Sequence, residues 1–253
     1  MKESVSFIVP VLHESERING LIDHIFSLEG ADDCEIIVVD GSARADTLRS
    51  IDYDGILKVP SPPGRGIQMN AGAVAAKGRI LVFLHADTFL PKGAIGAIRE
   101  ALETCDAGAF GMGYDARGPV LDFLALASCL RARFTGVPYG DQAIFMEKKY
   151  FTALGGYREI PLMEDVELMG RIKKGGGKIR ILKDRAMTSP RKMLSDGILF
   201  SVMRNQAIKM LYLFGADPER LARLYYGPRR HCGQNNGAQK SKKSETDGGE
   251  FDF

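Results

Sequence analysis

The sequence predicts an α/β domain whose central sheet is mostly parallel and carries helices on both faces. Two observations predict it. Apolar, β-branched runs at residues 5–11, 35–40, 56–59 and 80–84 are continuous rather than alternating, as in strands buried on both faces. Helical patterns at residues 14–28, 44–51 and 66–77 separate those runs, and alternation of this kind builds a parallel sheet.

The second half changes character. Residues 109–114 and 143–146 read as strands, but long amphipathic stretches at 121–134 and 194–214 dominate it. From Arg229 onward there is almost no apolar content to offset the entropy of ordering, so a disordered polar tail is expected at 229–253 behind a single domain at 1–228.

Bulk properties narrow the function. With 253 residues, 45% of them hydrophobic and 26% charged, the chain can enclose one sizeable core. Its 34 basic and 32 acidic residues leave a net charge of +2, too little to hold nucleic acid by counterion release. Cys34, Cys105, Cys129 and Cys232 are far apart, with no CxxC pair, which fits a reducing compartment. No stretch reads as a signal peptide, and no run approaches the ~20 apolar residues that span a bilayer. The expected location is cytoplasmic, with peripheral contact at the inner membrane face left open.

The first strand ends in Pro10-Val11-Leu12-His13-Glu14, without the GxGxxG glycines that wrap a dinucleotide pyrophosphate. Gly64-Arg65-Gly66 does not supply them, because position 69 is methionine. There is no phosphate-binding GxxxxGK[ST] loop, and Arg17 stands where a zinc helix beginning at His13-Glu14 would need its second histidine.

The second strand delivers Asp40-Gly41-Ser42 at its carboxyl end, where open α/β sheets place ligands. A carboxylate there can accept hydrogen bonds from a ribose or base, and it serves equally well as a helix cap or turn residue. The fourth strand ends in His85-Ala86-Asp87, so Asp87 emerges at the same edge. One or two carboxylates plus substrate phosphates are the usual Mg²⁺ arrangement, although Asp87-Thr88 also suits a capping turn before the helix at Pro91.

Between these strands, Arg65 sits in a glycine-bounded turn that opens a small-residue helix. It suits a phosphate, and Gln68 or Asn70 suits a base or sugar, whereas a surface arginine beside a closely packed helix is the alternative. Further on, Glu164-Asp165 opens a helix whose dipole favours acids in its first turn. Asp165 is also a candidate general base, since inverting sugar transfer needs one carboxylate to take the proton of the attacking hydroxyl.

Taken together, Pro10…Glu14, Asp40-Gly41-Ser42, His85-Ala86-Asp87 and Glu164-Asp165 resemble, in order and spacing, the family 2 glycosyltransferases of GT-A fold. The resemblance covers nearly all of residues 4 to 226. Gly64-Arg65-Gly66, Gln68-Met69-Asn70-Ala71-Gly72, Leu84-His85-Ala86-Asp87-Thr88 and Gly140-Asp141-Gln142 are similar to a small bacterial branch associated with arsenosugar biosynthesis.

The resemblance implies the nucleotide-diphospho-sugar transferase fold and an inverting sugar transfer from a nucleotide-diphosphate donor. It places Pro10 and Glu14 at the base and ribose, Asp40 at the nucleotide, and Asp87 on a divalent Mn²⁺ or Mg²⁺ against the diphosphate. Asp165 becomes the base with Glu164 beside it, and Gly140, Asp141 and Gln142 lie near the donor sugar or acceptor. Arg65 or Arg191 would steady the leaving phosphate. The chain departs from the pattern twice. The first acid of the metal motif is His85, and Arg191-Lys192-Met193 stands where the branch often has two arginines and a tryptophan.

The second half is expected to supply the acceptor side, with a small-molecule or lipid-linked acceptor. One alternative is a polyprenyl-phosphate acceptor at the membrane surface, drawing on the two amphipathic stretches and on Arg131, Arg133, Arg204 and Lys209 within them. The other, allowed by the missing acid, is a sugar-nucleotide-binding module without catalysis. No residue pattern speaks to the oligomeric state.

Overall fold

The structure is a computed structural model and describes residues 4–227. The tail expected at 229–253, with Cys232 in it, lies outside the described residues. Eight strands, β1 (Val5–Val11), β2 (Cys34–Asp40), β3 (Leu57–Pro60), β4 (Ile80–Phe83), β5 (Thr88–Phe89), β6 (Ala107–Tyr114), β7 (Ile144–Glu147) and β8 (Ile179–Thr188), form one sheet in the order β3-β2-β1-β4-β7-β6-β8-β5. Ten α-helices accompany them among the described residues: α1 (Ile18–Phe26), α2 (Asp46–Arg49), α3 (Arg65–Ala75), α4 (Ala94–Leu102), α5 (Pro119–Thr135), α6 (Lys148–Ala153), α7 (Glu164–Lys174), α8 (Arg191–Asp196), α9 (Ile198–Leu213) and α10 (Pro218–Tyr226).

The continuous apolar runs follow from helices on both faces. In β1, Val5, Phe7 and Val9 pack with Leu21, Ile22 and Ile25 of α1 and Ile95 and Ile98 of α4. Ile8, pointing the other way, packs with Met69 and Ala73 of α3 and Leu168 and Met169 of α7. Helix α3 lies so close to the sheet that a methyl on Gly72 would come within 2.4 Å of Ile8 Cγ2, so that position takes only glycine.

The predicted mostly parallel sheet holds, with two reversals. β1, β2, β3, β4, β6 and β8 point the same way, while β7 runs antiparallel to β4 and β6, and β5 runs antiparallel to β8. The carboxyl ends of six strands therefore share one edge.

Several boundaries differ from the sequence reading. Residues 56–59 are expected to be buried on both faces, yet β3 is an edge strand with Leu57 and Lys58 exposed. The helix expected at 14–28 starts at Ile18, because Arg17 and Ile18 N–H first turn back onto Glu14 carbonyl. That at 44–51 shrinks to α2, and that at 66–77 ends at Ala75. The stretch 194–214 breaks at Gly197, whose φ of 88° interrupts the helix and separates α8 from α9.

The amphipathic stretches do not bury all their apolar residues. Phe123, Leu126 and Leu130 of α5 and Leu199, Phe200 and Met203 of α9 are exposed. Helix α10 covers the other side of α9, with Leu221, Ala222 and Ile208 closing over Leu162 and Met163. No helix among the described residues is long and apolar enough to cross a membrane.

Candidate active site at the carboxyl edge of the sheet

The shared edge brings together residues far apart in sequence. β1 leads into Glu14, β4 into His85 and Asp87, β8 into Arg191, and α3 opens with Arg65. A cavity of about 720 Å³ lies here, lined by Pro10, Glu14, Arg65, Gln68, His85 and Asp87 among others. Pro10, Glu14, Arg65 and Asp87, expected around the donor, do converge.

Glu14 is fixed by two guanidinium groups: Arg17 Nη1 donates to its Oε2 and Arg191 Nη2 to both oxygens, all at 3.1 Å. Arg191, expected beside the leaving phosphate, is thereby tied to Glu14, which lines this cavity.

Burial raises the carboxyl of Asp87 above the usual range, and the nearby Glu14 pushes the same way. His85 is driven down to about 3 by burial and then by the Arg65 charge, so its imidazole is neutral. No group of three or more His, Cys, Asp or Glu converges among the described residues. A hard cation that takes most of its ligands from phosphate oxygens and water needs only one or two protein carboxylates, and Asp87 with the neutral His85 imidazole nearby fits such a shared site rather than an all-protein cage.

At the start of α7, Glu164 is 2% exposed and its Oε1 accepts from Arg65 Nε at 2.8 Å, while Oε2 has no partner among the described residues. Burial raises its carboxyl and Arg65 opposes that rise. Glu164 therefore holds Arg65 at the cavity. Asp165, the next residue, accepts from Gly140 N–H at 2.8 Å and from Val166 N–H at 2.7 Å. A methyl on Gly140 would lie 2.9 Å from His85 Nε2 and 3.7 Å from Asp165 Oδ2, so the His85-Ala86-Asp87 loop and Asp165 meet across Gly140.

Two further cavities lie nearby, the first sharing Arg65 with the 720 Å³ cavity. One of about 110 Å³ is lined by Arg65, Tyr139, Asp165, Asn205 and Lys209. The next, about 490 Å³, shares Tyr139, Asn205 and Lys209 with it and adds Arg131 and Asp141. The Tyr139 ring carries Arg131 at 3.6 Å and Lys209 at 4.2 Å from its centroid. Burial lifts Asp141 to about 6, with Asp165 adding to the shift and Lys209 and Arg131 opposing it. Burial also lowers Lys209 to about 8.

Three expected ligands turn out to be tied to backbone instead. Asp40 is fully buried, and its oxygens accept from Ser42, Thr47 and Leu48 N–H at 2.7, 3.1 and 3.4 Å, so it caps the turn into α2 rather than facing the cavity. Asn70 donates to Tyr157 carbonyl and accepts from Tyr157 N–H, both at 2.8 Å. Gln142 is buried, donates to Phe110 carbonyl at 2.9 Å and accepts from Tyr139 N–H at 3.1 Å. Each amide or carboxylate has spent its groups on neighbouring chain segments.

Sequence reasoning does not assign roles to Arg17, Tyr139 or Asn205, and reads Lys209 only as a surface charge. A signal exists: Asn205, Gln206 and Lys209 recur at helical spacing within the mostly apolar α9, which puts a polar stripe on the cavity side.

The sequence profile described as Glycosyl transferase family 2 matches residues 6–157. No curated protein matches the chain. Among solved structures, a mannosyltransferase from Pyrobaculum calidifontis in complex with GDP-Man and Mn²⁺ aligns at 18% identity and TM-score 0.59, over 75% of this chain and 57% of its own. S. aureus TarS aligns at 18% identity and TM-score 0.57, over 88% of this chain and 70% of its own. Both likenesses speak to the fold.

Proposed function

The chain belongs to glycosyl transferase family 2, and from that premise we propose that it moves a sugar from a nucleotide-diphosphate sugar to an acceptor hydroxyl with inversion, Asp165 acting as general base. The observation that carries this reading is the position of Asp165. It lines a small cavity that shares Arg65 with the 720 Å³ cavity, where Pro10, Glu14, Arg65 and Asp87 gather, and shares Tyr139, Asn205 and Lys209 with the 490 Å³ cavity.

In this reading the nucleotide occupies the larger cavity between Pro10 and Glu14. A divalent cation, Mn²⁺ or Mg²⁺, would be held by Asp87 and would neutralise the departing diphosphate. Arg65, oriented by Glu164, faces the same phosphates, and Arg191 steadies Glu14 at the rim. The acceptor enters from the 490 Å³ side, and Asp165 takes its hydroxyl proton as the oxygen attacks the anomeric carbon. The two N–H bonds to Asp165 hold the carboxylate in place for that transfer. A carboxylate so placed between two cavities supports catalysis over binding alone, within one catalytic domain expected at 1–228.

The experiment is a melting-temperature screen of nucleoside diphosphates and their sugars with Mn²⁺ or Mg²⁺, followed by product analysis. A nucleotide should stabilise wild type and not Asp87→Ala, and the product should carry the inverted anomeric configuration. Absence of any nucleotide effect, or retention of configuration, would overturn the reading.

One observation favours a second reading of the acceptor. Phe123, Leu126 and Leu130 of α5 and Leu199, Phe200 and Met203 of α9 are exposed, apolar helix faces of the kind that lie on a bilayer, and α5 also exposes Arg133. A polyprenyl-phosphate acceptor presented at a membrane face would use it.

A further inference from the structure

We infer that the 490 Å³ cavity beyond Asp165 takes a polyhydroxylated acceptor, a sugar or sugar-like polyol, held through Asp141, Asn205 and Lys209. This deepens the sugar-transfer reading and rests on it.

The inference comes from what the cavity leaves unmatched. Asp141 Oδ1 and Asn205 Oδ1 are buried without a hydrogen-bond partner among the described residues. Buried polar atoms are almost always paired, and leaving one unpaired is costly. Lys209, on the same cavity, rests its ammonium on the Tyr139 ring and forms no hydrogen bond among the described residues. The cavity therefore offers two acceptors and one cationic donor, all on one small volume.

Those three groups discriminate between ligand chemistries. A carboxylate accepts only, and the phosphate dianion has a single O–H to donate. Either would satisfy Lys209, leave at least one of the two oxygens unpaired and be repelled by the Asp141 carboxylate. An amine donates only and would meet the Lys209 charge. A hydroxyl both donates and accepts, so adjacent hydroxyls on one ligand can satisfy all three groups. Met112 and Leu124 add the apolar lining that the C–H side of a sugar ring packs against. The volume lies within the range of small-molecule sites, roughly 300–1,000 Å³.

The test is saturation-transfer NMR on the full chain, with methyl glycosides of glucose, mannose and galactose as probes and inorganic phosphate as competitor. At least one methyl hexoside should bind wild type. Its Kd should rise by about tenfold or more in Asp141→Ala and in Asn205→Ala, as loss of a buried hydrogen-bonding group implies. Phosphate should not displace it. Melting curves of both variants establish that each is folded, and the second variant serves if the first is not. Failure of every hexoside to bind, displacement by phosphate, or an unchanged Kd in the folded variants would overturn the inference. On the same wild-type sample, GDP or UDP with Mn²⁺ should raise the melting temperature. If the nucleotides bind and the hexosides do not, only this inference falls, and if the nucleotides fail, the sugar-transfer reading falls.

Discussion

Gly140 donates its backbone N–H to Asp165 Oδ2 at 2.8 Å, so the turn before β7 holds an acid in the first turn of α7. Replacing that acid with the isosteric amide keeps the shape and removes the base. Asp165→Asn should lower turnover about 10²- to 10⁴-fold while nucleotide affinity stays near wild type, checked by initial rates beside donor titration. Full turnover in this variant would exclude Asp165 as the base.

Gly140 itself has no room for a side chain. A methyl there would meet His85 Nε2 at 2.9 Å and Cε1 at 3.0 Å. Gly140→Ala should displace the imidazole, cost about 1–3 kcal/mol in urea unfolding and reduce turnover in step. A fully active, fully stable variant would contradict the contact.

Asp40 separates a structural role from a ligand role. Three backbone N–H groups lose their acceptor in Asp40→Ala, which should cost about 1–3 kcal/mol in denaturant unfolding with nucleotide Kd largely unchanged in the folded fraction. The opposite pattern, weakened nucleotide binding at undiminished stability, would place the carboxylate at the ligand.

Asp141 makes stability depend on pH. Its folded pKa is raised to about 6, by burial first and then by Asp165 of α7, with Asp87 in the same direction and Lys209 of α9 and Arg131 of α5 opposing. A raised carboxyl contributes stability below its unfolded pKa, and that contribution is lost as pH rises through about 6. Asp141→Asn escapes the loss. It should therefore gain on wild type between about pH 4 and pH 7, by about 1–3 kcal/mol, measured by urea midpoints across that interval. A difference that does not change with pH would place the carboxyl elsewhere.

The apolar faces of α5 and α9 give a direct physical assay. Phe123 is 67% and Phe200 60% exposed, so changing both to serine should leave the melting temperature unchanged. Wild type should co-sediment with vesicles containing anionic lipid, and the double variant should not. Indifference of both proteins to vesicles would remove the membrane reading of the acceptor.

The strands legible in the sequence are those where burial dictates composition. β1, β2 and β4 are apolar on both faces, and an unbroken β-branched run of that length arises where helices cover a strand from either side. β8 escapes because Arg180, Lys183, Asp184 and Arg185 interrupt its apolar run. β5 is two residues long. The insertion of β7 against the grain depends on pairing with both β4 and β6, distant in sequence, which local pattern cannot express.

Edge position points to Asp87, the family resemblance to Glu14, a glycine-bounded turn to Arg65 and a helix start to Asp165, and all four line the cavities. Asp40, Asn70 and Gln142 have the chemistry of ligands and are used as caps and bridges, because a polar side chain serves backbone and substrate alike. Only the geometry distinguishes the two uses.

The order of the strands also bears on biogenesis. β6 pairs with β7 and β8, yet it leaves the ribosome some thirty residues before the first of these. Until then Ala107–Met112, wholly buried in the finished protein, forms a naked apolar edge open to pairing with any neighbouring nascent chain. A fragment ending before Ile144 would hold β1 to β6 without either sheet neighbour of β6, and is expected to aggregate more readily than the whole chain.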